Sequence, residues 1–138
     1  MQPLPIVIKA ESFLRKKPST VKVLDFGAGR GRNAIYLANR GYKVLAVDKD
    51  PKSLEVIPTN HNLQTKCLDV AKWQIQGKFD CVIATNILHF FDIATACGCL
   101  DEIAKATYKN GIIVISYILD KRKVVSDKII KKLTLYYE

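Results

Sequence analysis

Val21-Lys-Val-Leu-Asp-Phe-Gly-Ala-Gly-Arg-Gly-Arg-Asn33 decides the fold of this chain. Val21, Val23, Leu24 and Phe26 form a short apolar run rich in branched residues, which suits a strand buried on both faces. Gly27, Gly29 and Gly31 follow at once, and beyond Asn33 the apolar positions Ile35, Leu37 and Ala38 fit one side of a helix. Strand, glycine turn and helix bring a nucleotide-like ligand against bare backbone, because glycine turns tightly and puts no Cβ in the ligand's way.

The spacing points to the ligand. A dinucleotide fingerprint reads G-x-G-x-x-G. Here the third glycine comes one residue early, and Asp25 stands two residues before the first. A carboxylate in that place repels a pyrophosphate and suits a ligand with a positive end. S-adenosylmethionine carries an ammonium and a sulfonium and no phosphate. Asp25-Phe-Gly-Ala-Gly-Arg-Gly resembles motif I of the class I S-adenosylmethionine-dependent methyltransferases. The competing reading is a glycine-rich turn in an unrelated α/β protein.

Working outward, Ile6 to Lys17 reads as a short amphipathic helix with Val7, Ala10, Phe13 and Leu14 on one side, broken by Pro18. Gly41 ends the helix after the glycine turn, and Tyr42 to Val47 is a second strand. Pro51 opens a helix to about Ile57. Leu63 to Leu68 and the run from Phe79 are the third and fourth strands, Ile93 to Thr107 is a helix, and Asn110-Gly111 is a turn. Ile112 to Leu119 is a fifth strand and Lys123 to about Leu135 a last helix. The alternation predicts an α/β fold, a doubly wound Rossmann-like and mainly parallel sheet of about five strands flanked by helices. It forms one domain over residues 1–138, with an N-terminal helix and linker (1–20) and a basic C-terminal helix (120–138).

Asp48 ends the second strand about 20 residues beyond the first glycine, where a carboxylate accepts two hydrogen bonds from a ribose diol. The bland alternative is a surface turn residue. The resemblance implies that Asp69 meets the adenine amino group and the Val70 amide a ring nitrogen, although Asp69 equally suits the cap of a turn. It implies that the backbone near Thr85 and Asn86 meets the methionine end. Ala28, Gly29, Asn33 and Lys49 complete the expected cofactor-binding set with Gly27. Arg32 is a candidate for holding an anionic acceptor or the cofactor carboxylate, or else a solvated first-turn residue. Trp73 either stacks near the adenine or covers the sheet edge, and covering is the expectation. His89 is the candidate base, because imidazole titrates near neutral pH; its alternative is packing in the turn.

Gly29-Arg-Gly-Arg-Asn-Ala-Ile-Tyr-Leu-Ala, followed by Gly41-Tyr-Lys-Val and Asp48, is similar to the tellurite-resistance methyltransferases. That implies methyl transfer to a small acceptor such as a tellurium or selenium oxyanion or a thiol. After Thr85-Asn86, the Pro-Pro-aromatic signature of enzymes that methylate base amino groups is missing. The family fold normally closes with an antiparallel hairpin, and the sequence after the fifth strand is too short for it. An uncovered fifth strand is an apolar edge that proteins seldom leave exposed, so the last helix, a short strand at Leu133 to Tyr137, or a second copy is expected to cover it. This shortening motivates an alternative, a non-catalytic cofactor-binding or regulatory protein.

The 138 residues carry a net charge of +9, which raises the further alternative of an RNA methyltransferase. The basic residues are spread along the chain without interleaved aromatics, so nucleic acid is not the expected partner. The densest group, Lys121, Arg122, Lys123, Lys128, Lys131 and Lys132, reads as a solvated helix face. No apolar stretch approaches the roughly 18 residues of a membrane span, and the N-terminus does not read as a signal peptide, so cytoplasm is the expected compartment. Cys67, Cys81, Cys97 and Cys99 read as free buried thiols, and Cys97-Gly-Cys99 lacks the spacing of a zinc pair, so no metal is expected.

Overall fold

A computed structural model describes residues 1–17 and 20–117. The apolar run before the glycines is β1 (Lys22–Phe26), in which Val23, Leu24 and Phe26 are fully buried. The remaining elements are α1 (Pro5–Leu14), α2 (Arg32–Asn39), β2 (Lys43–Asp48), α3 (Pro51–Glu55), β3 (Leu63–Cys67), β4 (Phe79–Thr85), α4 (Ile93–Lys105) and β5 (Thr107–Ser116). The five strands are all parallel, in the order β3-β2-β1-β4-β5. The chain winds outward from β1 in both directions, so the crevice between the carboxyl ends of β1 and β4 is the natural ligand site.

Two apolar layers clothe the sheet. On one face Val23, Val44, Ala46 and Ile83 pack under α1 and α2 through Val7, Leu14, Leu37 and Ala38. On the other, Leu24, Phe26, Val47 and Val82 pack under α4 through Leu100 and Ile103. Trp73 stacks on Phe26 at 6.5 Å between ring centroids, as cover for this second layer.

Three expectations are corrected. The buried face of α1 is Val7, Ala10, Glu11 and Leu14, while Phe13 is 53% exposed beneath the Lys16 ammonium. A glutamate is tolerated inside because Tyr42 Oη donates to Glu11 Oε1 at 2.9 Å and Arg15 pairs with Oε2 at 2.6 Å. Asn110-Gly111 is not a turn between elements but part of an irregularity inside β5, which begins at Thr107 rather than Ile112. The ladder passes from Phe79↔Thr107 to Cys81↔Ile112, and Asn110 takes a left-handed conformation with φ of 69°. Asparagine-glycine satisfies a bulge for the same reason that it satisfies a turn. Thirdly, Cys67 is exposed because β3 lies at the sheet edge, whereas Cys81 and Cys99 are buried and Cys97 is half-buried; all four are free. In α2, Leu37 and Ala38 are buried as expected with Ile35 packed partly buried beside them, and Asn33 and Ala34 join the buried residues. The last helix and the Leu133–Tyr137 segment lie outside the described residues. Among the described residues β5 is the outer strand opposite β3.

Candidate active site

The glycine turn is built by backbone bonds to β2. The amides of Gly27 and Ala28 both donate to the Val47 carbonyl, at 2.9 and 2.8 Å. Gly27 has φ of 78°, and a Cβ there would stand 2.8 Å from Ile87 Cγ1. Only glycine lets the turn pass so close beneath the exit of β4. Gly31 repeats the requirement against Ile57, and with φ of 84° it starts α2 with no side-chain cap.

Asp48 ends β2 and clamps this turn. Its Oδ2 accepts from the Gly29 amide at 2.8 Å and its Oδ1 from the Asp50 amide at 2.9 Å. Each oxygen keeps acceptor capacity, as a ribose diol requires. Asp69 caps the 3-10 turn Val70–Lys72 through Oδ1, which accepts from the Ala71 amide at 3.0 Å, so both readings of that residue are compatible with its geometry.

Gly27, Asp48, Lys49, Asp69 and Val70 line one cavity of about 700 Å³ at the carboxyl ends of the strands. Asp50, Ser53, Ile87, Phe90 and Phe91 also line it, and sequence reasoning did not single them out. The available signal was Phe90-Phe91, two adjacent aromatics after the exit of β4, of which Phe90 is 73% exposed. Asp50 is occupied as the cap of α3, accepting from the Lys52 amide at 3.1 Å and from Ser53 Oγ at 2.8 Å. These bonds hold its carboxyl below the usual carboxylate range.

The other expected residues lie around the cavity rather than in its walls. Asn33 and Thr85 turn to each other, Asn33 Nδ2 donating to Thr85 Oγ1 at 3.2 Å, while Asn33 Oδ1 accepts from the Leu4 amide at 3.0 Å. Their side chains thus tie the N-terminal segment, α2 and β4 together. Asn86 leaves β4 with φ of 55° and is held by Ser116 of β5, whose hydroxyl donates to Asn86 Oδ1 at 3.0 Å. Arg32 faces a separate hollow of about 280 Å³ beside Met1, Gln2 and Pro3. His89 packs its ring 4.2 Å from Phe90 and 5.9 Å from Tyr117.

Asp25 is the least ordinary group. It is 1% exposed on β1, and neither carboxyl oxygen meets hydrogen-bond geometry with any described residue. Burial pushes its carboxyl up to about 7, the Asp48 charge adds to the rise, and the nearby Ala34 amide and Arg32 pull against it. An unpartnered buried acid beside a glycine turn awaits a positive charge or a donor.

The sheet order and this site define the fold of the class I methyltransferases. The chain belongs to the tellurite resistance protein TehB family, whose family model matches residues 7–126. The probable S-adenosyl-L-methionine-dependent methyltransferase TehB of Haemophilus influenzae is 33% identical over 79 residues, 54% of this chain and 28% of that protein. The chain therefore spans little more than a quarter of that relative's length. A TehB-like SAM-dependent methyltransferase from Corynebacterium glutamicum superposes with a TM-score of 0.77 at 25% identity, over 93% of this chain and 71% of that one. CalS10, an amino pentose methyltransferase from Micromonospora echinaspora solved with SAM bound, shares the fold with a TM-score of 0.70 at 17% identity, over 87% of this chain and 52% of that one. No helix among the described residues is long and apolar enough to cross a membrane.

Proposed function

We propose that this protein binds S-adenosylmethionine in the cavity at the carboxyl ends of the strands and transfers its methyl group to a small nucleophilic acceptor. The observation that carries this reading is the charge of the cavity walls: among the described residues Asp48, Asp50 and Asp69 line it with one cation, Lys49. A dinucleotide would bring its pyrophosphate against three carboxylates, whereas a cofactor with a sulfonium and an ammonium is drawn in. Asp48 would hold the ribose diol, Asp69 and the Val70 amide the adenine, and the Gly27–Gly29 backbone the methionine portion. Asp25 would supply negative charge behind that backbone as the arriving cation draws its proton off.

The cofactor supplies an electrophilic methyl on sulfur, which passes in line to an acceptor lone pair as the sulfur becomes a neutral thioether. Such a displacement depends on positioning and on exclusion of water, so it needs no strong base. The exposed Phe90 and the half-buried Phe91 fit the role of an apolar wall that an acceptor closes against. Membership of the TehB family supports tellurite, selenite or a thiol as the acceptor class, and four free cysteines fit a reducing compartment such as the cytoplasm.

Calorimetric titration with S-adenosylmethionine and, separately, with NAD tests the first half. Micromolar binding of the first and none of the second is the expected outcome; the reverse ends the proposal. Incubation with labelled cofactor and each acceptor then reads transfer directly.

A further inference from the structure

A second pocket, of about 470 Å³, opens at the other end of the sheet, where the strands begin. Its charged and polar walls are Lys22, Lys43, Lys78, His61, Gln64 and Gln76, over an apolar floor of Leu45 and Phe79. Among the described residues no carboxylate lines it. It exists because the crossover from β3 to β4 contains only the 3-10 turn Val70–Lys72 and then irregular chain to Lys78. A helix in that crossover would lie over this part of the sheet and fill the space.

The lysines meet by register. Lys22 and Lys43 are paired positions on adjacent parallel strands. Alternation puts them on the face of Leu24 and Leu45, so both side chains leave the same side of the sheet. Like charges on neighbouring strands repel. Here no described carboxylate makes an ion pair with Lys22, Lys43 or Lys78. Lys43 Nζ donates to the neutral Asn62 Oδ1 at 2.9 Å. The acid beside them, Asp80, accepts from the Lys22 backbone amide at 2.9 Å and is not part of the wall.

We propose that this pocket binds a compact, multiply charged phosphate anion, a phosphate ester or a short polyphosphate. Three lysines from three points of the chain line a space of about 470 Å³, and the side-chain amides of Gln64 and Gln76 supply further donors. The site is a strand length away from the methyl-transfer cavity and opposite in charge, so the two ligands do not compete.

Titration with inorganic triphosphate at low ionic strength tests the proposal on the intact protein, on Lys22→Gln and Lys43→Gln, and on Lys9→Gln as a surface control on α1. Triphosphate is expected to bind, each pocket variant to bind roughly tenfold more weakly, and Lys9→Gln to bind as the parent does. Lys43→Arg, which keeps the charge, is expected to retain binding, and thermal melts without anion show that the variants fold. S-adenosylmethionine titrations of the same variants are expected to be unchanged, so failure here is separable from failure of the methyltransferase reading. Absence of triphosphate binding overturns the proposal. So does equal weakening by Lys9→Gln, or binding of single-stranded oligonucleotide without binding of triphosphate.

Discussion

At the scale of single residues, Asp25 has the sharpest consequence. Unfolded, its carboxyl releases the proton at the ordinary value of 3.8; folded and buried, at about 7. Between those values the native state holds the extra proton, so stability falls as pH rises through this window and levels above it. Asp25→Asn is expected to flatten that slope and to be more stable than the parent at alkaline pH by on the order of 2–4 kcal/mol. Urea unfolding at acid and alkaline pH measures this, and an unchanged slope would move the effect elsewhere. A cation arriving in the cavity lowers the same carboxyl's pKa. Cofactor binding near neutral pH is therefore expected to release a proton, seen as a titration enthalpy that varies with the buffer. Gly27→Ala is a second residue-scale case. It meets Ile87 at 2.8 Å and keeps a strained φ of 78°, and should cost roughly 1–3 kcal/mol and most of the cofactor affinity. Asp25 and the glycines were legible in the sequence because spacing within one turn is local. That Asp25 is walled in was not, because its surroundings come from strands and a helix distant in the chain: Ala46 of β2 and Ile83 of β4 pair with it, and Ala34 of α2 lies beside it.

At the scale of elements, α1 is docked through a polar bond inside an apolar layer. Tyr42→Phe leaves Glu11 Oε1 without the hydroxyl that now donates to it at 2.9 Å, and is expected to cost roughly 1–2 kcal/mol in chemical denaturation. Burial, with the Glu11 bond and charge adding to it, pushes the Tyr42 hydroxyl up to about 12, so this bond persists across ordinary alkaline conditions. Strands β1, β2 and β4 were visible as apolar runs because parallel strands buried on both faces need continuous branched side chains; β3, Leu-Gln-Thr-Lys-Cys at the sheet edge, buries only Leu63. The stripe of α1 was misread at Phe13 and Glu11 because periodicity counts apolar residues and is blind to a glutamate whose partner lies on another element. Asn110-Gly111 was misread for a different reason. Its left-handed conformation was foreseeable, but whether such a kink joins two elements or bends one depends on the neighbouring strand.

At the scale of the whole molecule, the sheet separates two fields. Carboxylates gather where the strands end and lysines where they begin. Added salt is expected to weaken triphosphate binding by more than about tenfold while changing S-adenosylmethionine binding by less than about threefold, since a small cofactor of low net charge gains less from an unscreened field. Parallel titrations at two ionic strengths compare them. This polarity was not legible from composition, because a net charge of +9 says nothing of where the charges lie. The cavity walls were only partly legible: Asp48 and Asp69 announce themselves at strand ends, while Phe90 and Phe91 reach the cavity from a loop whose path no local pattern specifies.

The irregularity in β5 gives that strand slack. Between the pairs Phe79↔Thr107 and Cys81↔Ile112, β4 advances two residues and β5 advances five, so three residues of β5 are surplus to the ladder. Beyond them the pairs from Cys81↔Ile112 to Thr85↔Ser116 hold Val114 in one layer, Ile113 and Ile115 in the other, and Ser116 against Asn86. Loss of one residue from 108–111 would draw on the surplus and leave that register in place, whereas loss of one from 112–115 has no surplus to draw on and would send the side chains on one side of the gap to the opposite layer. The kink serves this strand as an expansion joint serves a rail.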